Sequence, residues 1–229
     1  MGETEFDGTA SPWLKPPGFA MDVFRPVAQI VTYQRNVMLY QKGDPGTYVY
    51  AIISGRVEHF LISSGGVKKI IGISVPGCLA GEFPLFDSSS HFCSARTCAS
   101  STLYRMAYPV FEKLVEDNPQ ILQPLIRSMA YKARSLHTMI ELSEFYDATA
   151  QVARILRFIC KDYSQPHNDE LLINLTFTHS DIAYLTGLSR VSVSNAFSKM
   201  IQGEALRKEG NRYYIKSMTL LEALCDPSR

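Results

Sequence analysis

Residues 178–216 (THSDIAYLTGLSRVSVSNAFSKMIQGEALRKEGNRYYIK) constrain the fold more than any other part of the chain. Thr178 followed by Asp181 is a capping box, so a helix begins there. Ile182 and Leu185 share one face of it. Gly187 supplies the left-handed residue that ends it, and Leu188 turns back into the core. Ser189 caps a second helix that runs to about Ile201, with Val193, Ala196, Phe197 and Met200 as its buried stripe. The opposite face carries Arg190, Val191, Ser194, Asn195, Ser198 and Lys199, and no acid. An α-helix fits the major groove of DNA, and this face suits that groove. Residues 206–215 read as two strands around a Glu-Gly-Asn turn, a wing beside a helix-turn-helix. The candidate DNA contacts are therefore Arg190, Val191, Ser192, Ser194, Asn195 and Lys199 on the second helix, Thr178 and His179 at the start of the first, and Arg212 on the wing. An ordinary helical hairpin would explain the amphipathic pattern. It would not explain the turn glycine, the acid-free face and the basic wing together.

The remainder of the chain sets bounds on this reading. Its 229 residues, 46% of them hydrophobic, allow one large or two ordinary domains with substantial cores. The net charge of +1 excludes a general polyanion binder. From Thr176 onward basic side chains only slightly outnumber acidic ones, so DNA affinity must lean on two copies binding together and on base contacts. Five cysteines without paired spacing point to a reduced cytoplasmic protein. No run approaches the roughly 18 apolar residues of a membrane span. The N-terminus lacks a secretory pattern.

Residues 1–18, with Pro12, Pro16 and Pro17, read as a flexible arm on which Trp13 and Leu14 could dock. Residues 24–107 read as many short strands with glycine turns, an antiparallel barrel or roll. A short helix follows from Tyr108 to Glu116, with Pro109 in its first turn, and Asn118-Pro119 breaks it. A long helix then runs from about Gln120 to Phe145. Leu122, Ile126, Met129, Ala133, Leu136 and Ile140 form a heptad seam along it, the candidate dimer interface. Leu125, Lys132 and Met139 form a second stripe that competes for the same role or faces the roll. Beyond Asp147, Val152, Ile155, Leu156 and Ile159 mark another helix. Residues 164–169 read as a loop and 171–177 as a strand. The expected fold is α+β: an effector-sensing β-roll over 19–117, a dimerisation helix over 118–146 and a winged helix-turn-helix over 147–229.

In that order of parts the chain resembles the CRP/FNR family of bacterial transcription regulators over about residues 24–224. Residues 50–58 (YAIISGRVE) are similar to the family's roll hairpin. Residues 76–86 (PGCLAGEFPLF) resemble its effector-pocket segment, with Gly81 and Glu82 at the paired Gly-Glu. Asn118-Pro119 precedes the long helix as in the family. The resemblance implies a homodimer that binds pseudo-palindromic promoter DNA and acts on RNA polymerase. A small-molecule effector in the roll would reposition the seam helices and thereby two recognition helices about 34 Å apart.

Departures from the family narrow the effector. Where cyclic-AMP-binding members carry an Arg-Ser pair for the cyclic phosphate, this chain has Phe92-Cys93, and a buried phosphate would go uncompensated. Arg96 is close but in another register. The Thr-Ser pair that meets adenine is replaced by Leu136-His137. Residues 1–77 hold no cysteine, unlike the iron–sulfur members, and a haem role for His59, His91 or Cys78 is disfavoured. Neither a cofactor nor a metal is expected. What remains is an apolar or aromatic pocket formed by Gly81, Glu82, Phe83, Phe92, Cys93, Leu136 and His137, with Lys132 as a counter-charge. This resembles the halorespiration branch, which senses ortho-chlorinated phenols and whose matching lysine meets the phenolate. In the reading helix, family members that read a G·C pair place an Arg, a Glu and a second Arg one turn later. Here the positions are Arg190, Val191 and Asn195. Val191 can only pack on an apolar group such as a thymine methyl, so half-sites like TTAAT replace TTGAT. Ser192, Ser194 and Thr178 are phosphate candidates.

No catalytic motif competes with this reading: the chain has no G-x-S-x-G, no phosphate-binding glycine loop with lysine, no H-E-x-x-H and no C-x-x-C. A bare ligand-binding module is the other alternative, and the winged helix-turn-helix argues against it.

Overall fold

The structure is a computed structural model that describes residues 12–226. The chain divides into two compact units, residues 1–138 and 139–229. The division falls inside the long helix, whereas the sequence set that helix apart as its own segment.

The first unit holds strands β1 (Gln29–Tyr33), β2 (Met38–Tyr40), β3 (Tyr48–Ser54), β4 (Val57–Ile62), β5 (Lys68–Ser74), β6 (Leu79–Ala80), β7 (Ser94–Thr97) and β8 (Ser101–Ala107). They form two four-stranded antiparallel sheets, ordered β1-β8-β3-β6 and β2-β7-β4-β5. Alternation along β3 explains how the sheets pack. Tyr50 and Ile52 join Tyr40, Val57 and Ala95 in the core between the sheets. Val49 and Ala51 point the other way, into a core with Phe24, Phe111, Ile121 and Leu125. Successive strand side chains face opposite sides, so one buried strand serves two cores. The second core is closed by helices α2 (Tyr108–Asp117) and α3 (Leu122–Phe145), with a 3-10 turn (Pro119–Ile121) between them. Helix α1 (Phe83–Asp87) interrupts a region the sequence suggested was all strand; Pro84 near its start suits a first turn.

The arm expected over 1–18 is only partly described. Residues 1–11 lie outside the described residues. From residue 12 the chain is docked: Trp13 and Leu14 are buried, and the Leu14 amide donates to the Ile73 carbonyl at 2.8 Å. The Arg127 guanidinium donates to the Pro17 carbonyl at 3.0 Å.

The second unit contains α4 (Ala148–Tyr163), β9 (Ser164–His167), β10 (Glu170–Ile173), α5 (His179–Thr186), α6 (Arg190–Gln202), β11 (Leu206–Glu209), β12 (Arg212–Ile215) and α7 (Met218–Cys225). Asp147 caps α4 by accepting from the Ala150 amide at 2.8 Å. Val152, Ile155, Leu156 and Ile159 are buried, as their spacing predicts. The sheet order is β11-β12-β10-β9. Residues 164–167, read as loop, are an edge strand paired with β10. Asn168 takes a left-handed conformation (φ 52°) that closes this hairpin, and Pro166 is tolerated because the strand is an edge. Residues 174–177, read as the end of a strand, are irregular. Among the described residues no helix is long and apolar enough to cross a membrane.

Candidate functional site

Two sites emerge, one in each unit. In the second unit, the Thr178 hydroxyl accepts from the Asp181 amide at 3.2 Å, while the Thr178 amide donates to the Asp181 carboxylate at 2.8 Å. This is the expected capping box. Gly187 is left-handed (φ 80°), and its amide donates to the Ala183 carbonyl at 2.7 Å. Ser189 caps α6 by accepting from the Ser192 amide at 3.0 Å. Val193, Ala196, Phe197 and Met200 are buried beneath it. Arg190, Val191, Asn195, Ser198 and Lys199 form its exposed face, and Val191 is 69% exposed.

Several expected DNA contacts are instead occupied within the chain. The Thr178 hydroxyl also donates to Asp181 at 2.8 Å, so the cap consumes it. The Ser192 hydroxyl lies 2.9 Å from that of Ser189. His179 departs furthest from expectation. Its Nδ1 hydrogen-bonds Ser194 Oγ at 2.8 Å and its Nε2 hydrogen-bonds the Tyr213 hydroxyl at 2.9 Å. Its ring stacks on Phe197 at 4.5 Å. With both nitrogens used, His179 and Ser194 join α5, α6 and the wing strand β12 rather than reaching outward. Burial, helped by Lys208 and Arg190, lowers the His179 pKa, so the ring is neutral at physiological pH. His179→Ala is expected to lower stability to urea by about 1–2 kcal/mol and to weaken DNA binding, with His179→Gln partly restoring both. Equal affinity in the alanine variant would mean that the linkage does not position the wing.

The wing is less basic than its sequence. Arg207 Nη2 pairs with Glu170 at 2.7 Å, its Nη1 pairs with Glu209 at 2.8 Å, and its guanidinium lies 3.9 Å from the Tyr214 ring centre. Lys216 pairs with Glu204. Lys208 and Arg212 remain exposed at the hairpin tip.

In the first unit, a cavity with about 470 Å³ of open space, counting its mouth, lies against the β2-β7-β4-β5 sheet, α1 and α3. The structure brings Gly81, Phe83, Phe92, Cys93, Lys132 and Leu136 together around it, as expected from the sequence. His137 is exposed and lies outside the lining, because it projects from the other side of α3. Glu82 is fully buried behind the wall. Gly81 is left-handed (φ 87°), and a Cβ there would sit 2.7 Å from the Tyr48 carbonyl, so glycine is required to turn Glu82 inward.

Lys132 is not the unspent counter-charge the sequence suggested. Its ammonium forms an ion pair with Glu82, donates to the Leu79 carbonyl at 3.2 Å and lies 5.1 Å from the Phe83 ring centre. Arg96 is likewise engaged, with Glu58. Sequence reasoning missed Tyr40 and gave His59 and His91 no place in the pocket, although all three line it. Tyr40 stacks on His91 at 3.8 Å, and its hydroxyl reaches His59 Nδ1 at 3.3 Å. His59 Nε2 reaches Ser74 Oγ at 2.8 Å, and that hydroxyl donates to the Leu79 carbonyl at 3.3 Å. Burial, with help from Lys132 and His91, drops His59 to about 3. Burial also raises Cys93 to about 11 and Tyr40 well above its usual value. Among the described residues no group of His, Cys, Asp and Glu is arranged to hold a metal ion.

On α3, Leu125 and Met139 are buried, whereas Leu122, Ile126 (68% exposed), Ala133 and Ile140 are exposed and Met129 and Leu136 half-buried. Most of the seam stripe therefore faces outward, with Leu136 turned to the cavity, and the competing stripe faces inward.

Comparison with known proteins matches residues 30–118 to the cyclic nucleotide-binding domain family and residues 150–224 to the Crp-like helix-turn-helix domain family. The CRP-like cAMP-activated global transcriptional regulator of Mycobacterium tuberculosis is 26% identical over 187 residues, covering 82% of this chain and 84% of that protein. Regulatory protein HlyX of Actinobacillus pleuropneumoniae is 25% identical over 185 residues, covering 81% of this chain and 77% of that protein. Among solved structures, the c-di-GMP responsive global regulator CLP of Xanthomonas campestris superposes with a TM-score of 0.78 at 20% identity, covering 86% of this chain and 98% of that one. OCPA-complexed CprK superposes with a TM-score of 0.73 at 14% identity, covering 93% and 98%.

Proposed function

We propose that this chain, a member of the CRP/FNR family of transcription regulators, is a homodimer switched by a small aromatic effector. The dimer joins along the exposed stripe of α3, binds a pseudo-palindromic promoter site and acts there on RNA polymerase. The observation that carries the DNA-binding part is the outer face of α6: Arg190, Val191, Asn195 and Lys199, bare and acid-free on a helix locked by buried Val193, Phe197 and Met200. Arg190 and Lys199 supply phosphate or base contacts, and Lys208 and Arg212 extend the positive edge onto the wing. Val191 packs on a thymine methyl and Asn195 bonds adenine, which favours half-sites such as TTAAT.

The aromatic effector is supported by the cavity lining. Phe83 and Phe92 meet edge to face at 5.2 Å, with Leu136 beside them. A cyclic phosphate has no guanidinium to meet it there, since Phe92 and Cys93 occupy the wall and Arg96 is paired with Glu58. The effectors named for the M. tuberculosis and X. campestris relatives are therefore poor guides to this cavity, and a chlorinated phenol fits its surface better.

Val191→Glu tests the base-reading assignment. Titration against duplexes that differ only at the third base of each half-site should show preference moving from A·T to G·C by about 10–100-fold. An unchanged preference would remove Val191 from the base contacts.

A further inference from the structure

We infer that the cavity selects an uncharged aromatic ligand bearing a hydrogen-bond acceptor, and rejects the anionic form of the same molecule. The inference rests on the reading of this cavity as the effector site and adds the charge state of its ligand.

The positive charge in the wall is already matched. Lys132 pairs with Glu82, whose side chain is fully buried, held on the inward turn at Gly81. The second carboxylate oxygen, Oε2, has no hydrogen-bond partner among the described residues, so the carboxylate depends on Lys132 alone. An anionic ligand at the ammonium would place two negative charges on one cation whose side chain is only 11% exposed, with Glu82 fully buried beside it. Like charges in that setting repel strongly.

The rest of the lining offers no second cation. The Tyr40 hydroxyl, His59, Ser74 and the Leu79 carbonyl form a closed chain. Because Ser74 donates to Leu79, it accepts from His59 Nε2–H. Burial holds His59 as a neutral ring, so its Nδ1 accepts from the Tyr40 hydroxyl. His91 lies flat on Tyr40 and is also shifted toward the neutral form, chiefly by burial. Burial keeps Cys93 a thiol.

The wall does offer one donor and two ring faces. The ammonium has three N–H bonds; Glu82 and the Leu79 carbonyl take two, and the third is open to a neutral oxygen such as a phenol or ether. Phe83 and Phe92 supply the aromatic surfaces, with Phe92 45% exposed at the mouth.

The test uses the full-length protein and calorimetric titration with three probes: 2-chlorophenol, its methyl ether 2-chloroanisole, and 2-chlorobenzoate. The phenol is measured on both sides of its own pKa. Phenol affinity should fall about tenfold per pH unit once the phenol ionises, the ether should bind comparably and without that pH dependence, and the benzoate should bind at least about 30-fold more weakly. Glu82→Gln, which frees the ammonium, should reverse the order and bring the benzoate above the ether. Affinity that rises with the ionised fraction, or benzoate binding that matches the ether in the unaltered protein, would overturn the inference while leaving the aromatic effector site intact. Failure of all three probes to bind would overturn the effector reading itself, and the inference with it.

Discussion

Lys132→Met is expected to lower the unfolding free energy by about 3–5 kcal/mol, because it leaves Glu82 as an uncompensated carboxylate in the interior. The Lys132 side chain is only 11% exposed and that of Glu82 0%, so solvent screens little of this cost. Adding Glu82→Gln to the same variant should recover most of the loss, since the double change removes both charges together. Urea denaturation of the single and double variants measures both numbers. A single variant within about 0.5 kcal/mol of the parent would mean that the pair is solvated and that the cavity wall is not what we describe.

Acid should unfold the protein through its buried histidines, His59 foremost. His59 titrates near 3 in the fold, against an ordinary histidine value of about 6.5 in the unfolded chain. The unfolded state therefore binds a proton first as pH falls. The stability gained by holding His59 neutral is fully present above about pH 6.5 and is lost progressively as pH falls from there toward 3. The loss is at most about 1.4 kcal/mol per pH unit. His91 shifts in the same direction, also chiefly through burial, and adds a smaller part. His59→Asn keeps a donor and an acceptor between Tyr40 and Ser74 but cannot titrate. Its urea midpoint should change far less between neutral pH and about pH 4 than that of the parent. Parallel pH profiles for the two proteins would contradict the assignment.

The second site was largely legible in the sequence because its signals are local. Thr178 and Asp181 are three residues apart, Gly187 ends α5 within one turn, and the buried stripe from Val193 to Met200 lies within α6. What spacing could not show is that His179 and Ser194 use their polar atoms on each other and on Tyr213, a partner 34 residues from His179. Nor could it show Arg207 committed to Glu170 across the sheet. The cavity was legible only where a family pattern pointed: Gly81, Phe83, Phe92, Cys93, Lys132 and Leu136 line it, whereas Glu82 lies behind the wall and His137 outside it. Lys132 and Glu82 are 50 residues apart, and nothing in either neighbourhood announces that they pair. Tyr40, His59 and His91 come from different parts of the roll and meet only because β2, β7 and β4 lie side by side. The hairpin of β9 and β10 was hidden by Pro166, whose edge position cannot be read from the sequence.

On the proposed function, a ligand in the roll controls how a pair of chains holds a promoter. That control is tested most directly by anisotropy of a labelled duplex carrying two TTAAT half-sites, titrated with full-length protein with and without 2-chlorophenol. The expected result is two protomers per duplex, affinity that changes with the ligand, and weakening as salt rises. A protein that stays monomeric and leaves the duplex unbound at low ionic strength, with or without the ligand, would contradict it.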